Sequence, residues 1–154
     1  MIRRAKVKDI NRLIELLKEV CLVHHNGRSD IFKIGTKYTK EELEAKIKDD
    51  LNPIFVYTSD EDITLGYIFC ETIQHTNDNI LTDIKTLYID DLCVDEEYRG
   101  KGIGKSLYYY AKDYAKKNGY YNITLNVWEL NDSAKRFYSS LGLLPLKTYL
   151  EEKI

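Results

Sequence analysis

The sequence predicts one α/β (α+β) domain, residues 1–154, built on a mixed sheet of six to seven strands. Three observations carry that reading. Its 154 residues suit one domain, with no repeat, low-complexity tract or Pro/Gly-rich linker to divide them, since domains usually take roughly 100–200 residues. Segments with apolar residues at helical spacing precede and interrupt runs rich in β-branched and aromatic residues. Finally, 44% hydrophobic and 31% charged residues allow a buried core beneath a charged surface.

Taken in order, residues 2–5 read as a short strand. Asp9 is placed to cap a helix carrying Ile10, Leu13, Ile14, Leu17, Val20 and Cys21 on one face. From His24 to Tyr38 the periodicity dissolves into a loop. Thr39 followed three residues later by Glu42 is a capping-box signature, opening a helix with Leu43, Ile47 and Leu51 in register. Pro53 ends that segment. Ile54–Thr58 and Ile63–Ile73 flank the acidic turn Ser59–Asp62 as a hairpin. A polar loop, Gln74–Leu81, precedes a strong strand, Lys85–Val94. Ile103, Leu107, Tyr110, Ala111 and Tyr114 recur at helical spacing, closed by Asn118-Gly119. Asn122–Val127 is another strand. Asp132 or Ser133 starts a short helix through Leu141, Gly142 stops it, and Leu144–Leu150 makes a last strand.

Composition narrows the function. A formal net charge of -2 supplies no general attraction to nucleic acid or to an anionic membrane. Cys21, Cys70 and Cys93 are odd in number and lack C-x-x-C spacing, which argues against a disulfide framework and suits a reducing compartment. The opening residues hold no apolar signal core, and no run of about 18 apolar residues exists, so the expectation is a cytoplasmic protein. His24-His25 and His75 have no Cys/His/Asp companions at ligand spacing, and no metal is expected.

The chemistry gathers in VDEEYRGKGIGKSL, Val94–Leu107. Arg99 to Lys105 packs three glycines and three cations between a strand and a helix. There, backbone N–H groups and the positive end of the helix dipole converge, and an anion such as pyrophosphate is the natural guest. Glycine permits close approach or positive φ, and arginine grips phosphate with two donors. The Rossmann fingerprint G-x-G-x-x-G fits poorly, because Gly100, Gly102 and Gly104 are spaced G-x-G-x-G. Gly104-Lys105-Ser106 supplies the tail of a Walker A loop, but Arg99 stands where its leading glycine belongs.

Arg99-x-x-Gly102-x-Gly104 resembles instead the R-x-x-G-x-G signature of the GNAT superfamily of acetyl-CoA-dependent N-acetyltransferases. Leu87–Val94 (LYIDDLCV) is similar to that family's fourth strand. Leu125-Asn126-Val127, Asn131, Ala134, Phe137-Tyr138 and Ser140–Leu143 resemble its late strand–helix unit. The likeness covers nearly the whole chain; Glu96 departs from it where many members have proline. The run IDDLCVDEEYRGKGIG is most similar to the branch of diamine and small-molecule acetyltransferases. The resemblance implies a mostly antiparallel central sheet flanked by about four helices.

It also implies roles. Acetyl-CoA, the co-substrate, would lie with its pyrophosphate on Arg99, Gly100, Lys101, Gly102, Ile103, Gly104, Lys105 and Ser106. A bulge in the fourth strand would free main-chain groups at Leu92, Cys93 and Val94 for the pantetheine, with the Leu92 N–H on the thioester oxygen. Asn131 and Ala134 match coenzyme-contacting positions, although Asn131 equally reads as a helix cap. Tyr138 matches the general acid, with a structural phenol as the alternative. Asp90 and Asp91 are candidates for the base, Asp90 first. Neighbouring strand residues face opposite sides, so at most one should reach the cleft unless the bulge re-aims both. The alternative is that they only flank or bind the acceptor cation.

The acceptor is a small-molecule or peptide amine. The loop between the first two helices commonly lines the acceptor pocket in this superfamily, which points to His24, Arg28, Asp30, Phe32 and Lys33. Trp128 shapes either that pocket or a dimer contact. Homodimers are common in the superfamily, and a homodimer is the corresponding expectation. A non-catalytic acyl-CoA sensor of the same fold is the alternative function. Acetyl-CoA, and not ATP, should therefore raise the melting temperature, by about 2.7 kcal/mol of stability at 100 times Kd. Stabilisation by ATP alone would return the turn to the nucleotide reading.

Overall fold

Alternation along the central strands produces two apolar faces, and each is covered by helices. The computed structural model describes all residues, Met1–Ile154. The elements are β1 (Ile2–Arg4), α1 (Ile10–Gly27), α2 (Lys40–Ile47), β2 (Ile54–Thr58), β3 (Thr64–Gln74), β4 (Lys85–Val94), α3 (Ile103–Lys117), β5 (Asn122–Leu125) and α4 (Asp132–Ser140). They form one five-stranded sheet in the order β1-β2-β3-β4-β5. The first four strands are mutually antiparallel, and β5 runs parallel to β4.

The two cores follow the period of two. Tyr67 and Phe69 turn toward α1 and α2, where Leu13, Leu16, Leu17 and Leu43 are fully buried. Ile68 and Cys70 turn the other way, joining Phe55, Leu87 and Ile89 against Leu107 and Ala111 of α3. Each buried leucine or isoleucine contributes about 1.5–3 kcal/mol relative to exposure, so these two layers carry the fold.

Several boundaries differ from expectation. The loop read from His24 begins later, because α1 continues to Gly27. His25 Nδ1 lies 2.7 Å from the Phe32 carbonyl oxygen, and this contact secures the extra turn. Thr39 and Glu42 form the expected capping box, but α2 ends at Ile47, leaving Leu51 exposed. Asp9 does not cap α1 with its side chain; its carboxylate accepts instead from the Lys6 N–H.

The sheet has five strands, not six to seven, and Leu144–Leu150 is not a strand. Leu143 donates the last backbone hydrogen bond of the chain, to Tyr138. Beyond it Leu144 is 86% exposed and Tyr149 98%. The segment forms no backbone hydrogen bond with the free edge of β5, and Pro145 lacks an N–H to offer one. The far end is tied down by Glu151, which accepts two bonds of 2.9 Å from Arg28.

One polar cluster sits inside this frame. Asp9, 3% exposed, accepts from Arg3 at 2.7 and 3.0 Å, from Lys6 N at 2.7 Å and from Thr64 Oγ1 at 3.0 Å. It thereby joins β1, the entry to α1 and β3. Burial pushes its carboxyl up, but the bonds from Arg3, Lys6 and Thr64 outweigh burial and hold it below the ordinary carboxylate range. A depressed folded pKa stabilises above the unfolded value of about 3.9, and that stability is lost as pH falls through the folded value. Asp9→Ala should cost roughly 3 kcal/mol near neutral pH in urea unfolding, and the difference from wild type should shrink in strong acid. An equal gap at both pH values would show that the charge is not the source.

Candidate active site

The site begins with one extra residue in β4. Ile89 pairs with Cys70 and Asp91 with Phe69, so Asp90 has no partner across the ladder. Such a bulge breaks alternation. Ile89 and Leu92 both pack on the α3 side, whereas Asp90 and Asp91 both turn toward the α1–α2 side. There Tyr38 donates to Asp90 Oδ2 at 2.5 Å and Tyr67 to Asp91 Oδ2 at 3.0 Å. The bulge re-aims both carboxylates, and it lies at Asp90 rather than at Leu92, Cys93 or Val94. Those three stay paired with β3, at Ile68, Tyr67 and Gly66.

On its other side, β4 pairs with β5 only from Thr86 to Ile89. The strands then part, and the β5-facing edge from Asp90 to Val94 has no strand beside it. Main-chain groups at Leu92, Cys93 and Val94 therefore have no strand partner on that side.

The glycine turn lies at the end of the same strand. Asp95 accepts from the Glu97 N–H at 2.9 Å and is ion-paired with Arg12; Glu96 opens a short 3-10 turn. Arg99 donates through Nε to the Val94 carbonyl at 3.0 Å. Gly100 and Gly102 take φ of 77° and 79°, with open space where a side chain would stand. The first N–H to bond within α3 is that of Ser106, to Gly102, so the preceding N–H groups point out of the helix start. Lys101 lies over the Tyr98 ring and Lys105 near the Tyr109 ring. Ser106 Oγ donates to the Gly102 carbonyl at 3.0 Å. Gly104 has another reason: an added Cβ would meet Phe137 at 3.3 Å, so this glycine seats α4 against α3.

Helix α4 starts at the Asn131 cap, whose Oδ1 accepts from the Ala134 N–H at 3.1 Å; the capping reading of Asn131 is the one seen. Burial raises the Tyr138 hydroxyl, and the nearby Asp91 and Cys93 raise it further, well above an ordinary phenol. The Cys93 thiol is pushed up to about 12, by burial and then Asp91, which makes it a poor nucleophile. Asp91 is pushed up to about 6 by burial, with Lys37 and the Tyr67 bond opposing and Asp90 adding to the rise.

The residues expected to line the acceptor pocket divide into two groups. His24 stacks on Phe32 at 4.9 Å, and Trp128 meets Phe32 edge-on at 4.8 Å, forming an aromatic wall. Arg28 and Asp30 instead pair with each other at 2.8 Å, and Arg28 also holds Glu151. They clamp the C-terminal segment and form no hydrogen bond with Asp90, whose side-chain partners are Lys37 and Tyr38. Lys37, Tyr38 and Tyr67, absent from the sequence expectation, are the side chains that hold the two carboxylates. The only local hint was that Lys37 and Tyr38 directly precede the Thr39 cap.

Residues 14–143 match the model of the Acetyltransferase (GNAT) family. The chain is 28% identical over 143 residues to the peptidyl-lysine N-acetyltransferase YjaB of Salmonella typhimurium, spanning 92% of this chain and 81% of that one. It is 27% identical over 139 residues to an uncharacterized N-acetyltransferase in the pepI 3' region of Lactobacillus delbrueckii subsp. lactis, spanning 88% and 79%. A solved mutant of the BH1408 protein from Bacillus halodurans superposes with a TM-score of 0.96 at 30% identity, over 100% and 99% of the two chains. An aminoglycoside acetyltransferase from an uncultured soil metagenomic sample shares the fold, with a TM-score of 0.72 at 19% identity over 100% and 95%.

The raised Asp91 has a cost for the fold. Its folded value of about 6 exceeds the unfolded value of about 3.9. Stability therefore falls as pH rises between the two and stays reduced above the higher one. Asp91→Asn keeps an acceptor for Tyr67 and should stabilise the protein by on the order of 1–3 kcal/mol near neutral pH. The gain should vanish in acid below the unfolded value. A destabilised Asn variant at neutral pH would contradict the burial argument.

Proposed function

This chain belongs to the GNAT acetyltransferase family, and from that premise we propose that it moves acetyl from acetyl-CoA directly onto a primary amine of a small molecule or peptide. It is an N-acetyltransferase, and acetyl-CoA is the family's co-substrate. The observation that carries the finer reading is the placement of both carboxylates of a bulged strand on one side, with a protonated phenol near Asp91.

The residues fit the donor. Gly100 and Gly102 leave an open cradle at the start of α3, where N–H groups and the dipole favour a pyrophosphate, and Arg99, Lys101 and Lys105 add charge. The unpaired β4 edge at Leu92, Cys93 and Val94 suits an amide-rich pantetheine, and the Leu92 N–H is the candidate donor to the thioester oxygen. Acetyl-CoA supplies an activated thioester open to a neutral amine.

The acceptor must lose a proton first. Asp91, at about 6, is closer to a working base than an ordinary aspartate; Asp90 serves better as the anion that receives the acceptor's cation. This division refines the sequence preference for Asp90 as base. Tyr138 keeps its proton near neutral pH and is suited to give it to the departing thiolate. The aromatic wall of His24, Phe32 and Trp128 suits a cationic amine carried on an apolar body. An acyl-CoA sensor would have no need of a protonated phenol beside an acid pair.

A thiol-release assay across an amine panel that includes a lysine peptide tests the reading. Tyr138→Phe should lower kcat by about 100-fold with little change in acetyl-CoA affinity. Arg99→Ala should instead weaken acetyl-CoA binding by about 10-fold or more. In the wild type, kcat/KM should fall as pH drops below about 6, as Asp91 takes up its proton. Unchanged kcat in the phenylalanine variant would remove Tyr138 from the mechanism, and an unchanged Kd in the alanine variant would remove Arg99 from the coenzyme site.

A further inference from the structure

One amine of the protein already occupies the place just proposed for the acceptor. Lys37 Nζ lies 2.8 Å from Asp90 Oδ1 and 3.2 Å from the Asp90 carbonyl oxygen. The lysine side chain is 43% exposed, yet it reaches a carboxylate that is only 12% exposed. A surface pair looks different: Lys135 meets Glu129, whose side chain is 91% exposed. The two Asp90 contacts place Nζ on the main chain of β4 at its bulge, two residues before Leu92. At a rise of about 3.3 Å per residue, that is about 7 Å along the strand from the candidate thioester contact. Lys37 Nζ also lies 5.7 Å from the centre of the Tyr38 ring, the phenol that donates to the same carboxylate.

We propose that Lys37 is an acetylation site of this enzyme, modified in cis by its own active centre. The inference rests on the acetyl-transfer reading. In the step, Nζ gives up its proton to the aspartate pair and attacks the thioester carbonyl carbon. The N–C bond forms as the C–S bond breaks, the departing thiolate takes the proton of Tyr138, and the second proton lost by Nζ returns to the tyrosine oxygen. The products are Nε-acetyl-Lys37 and the free thiol of coenzyme A. Lys37 is carried on the connection between α1 and α2 by a flexible four-carbon stem, which provides the short movement from Asp90 toward the thioester. Acetylation removes the cation, and with it the ion pair to Asp90. An incoming amine would then meet that carboxylate without an internal competitor.

The purified full chain, incubated with acetyl-CoA and no added amine, should gain one acetyl group, mapped by peptide mass spectrometry to Lys37. The first-order rate should not depend on protein concentration, and Asp90→Asn should slow it at least about 10-fold. Lys37→Arg should acquire no label at that position under the same conditions. Label scattered over the surface lysines, a rate proportional to protein concentration, or equal labelling of Asp90→Asn would each overturn the proposal. So would an unlabelled Lys37 in a preparation that acetylates the panel, and that result would leave the acetyl-transfer reading standing. Failure of both panel turnover and acetyl-CoA thermal stabilisation would bring down the parent reading, and this inference with it.

Discussion

The unpaired residue in β4 is the constraint on which the site depends. With Asp90 left out of the ladder, the strand shifts phase between Ile89 and Leu92. Both of those apolar residues still face α3, so the core accepts the extra residue without exposing either one. The gain is two adjacent carboxylates on one side of the sheet, an arrangement that a regular strand forbids. Near the same point β5 ends, its last pairing being Leu125 with Ile89, and the β4 main chain beyond has no strand on that side. The bulge sets the acid pair, and the end of β5 frees the edge proposed for the coenzyme.

The environment then separates the two acids. Asp90 has a lysine and a tyrosine hydroxyl as partners. Asp91 has one phenol, and burial is the largest influence on its titration. The same burial keeps Tyr138 and Cys93 protonated. A phenol that retains its proton and a carboxyl that releases its own near pH 6 are complementary partners for moving protons in opposite directions. The fold tolerates the penalty at Asp91 because two apolar layers and the Asp9 cluster supply stability elsewhere.

Legibility in the sequence followed the range of the interactions. Turns, caps and periodic faces involve neighbours within a few residues, and strands such as Lys85–Val94 and Ile54–Thr58 and the Thr39 capping box lie where the sequence predicts them. The C-terminal alternation, Leu144–Leu150, reads as a strand, yet it forms no ladder with the free edge of β5; whether two segments pair is decided by packing, not by alternation alone. Arg28 and Asp30 were grouped with the acceptor loop, yet Arg28 meets Glu151, 123 residues away. Gly104 resembled an anion-binding glycine, while its contact with Phe137 comes from the docking of a helix that begins much later in the chain.

The sequence by itself determined the glycine turn and the family it belongs to. Arg99, Gly100, Gly102 and the start of α3 form one short local unit, and its spacing and chemistry identify the family and its coenzyme. Only the tertiary structure decided the partners of the two aspartates. Lys37 reaches Asp90 across 53 residues and Tyr67 reaches Asp91 across 24, and the face on which those aspartates stand depends on the register of β4 against β3. Register and burial are set by packing between distant segments, so the partners of an acid pair, and the proton affinity that follows from them, emerge only when the chain has closed on itself.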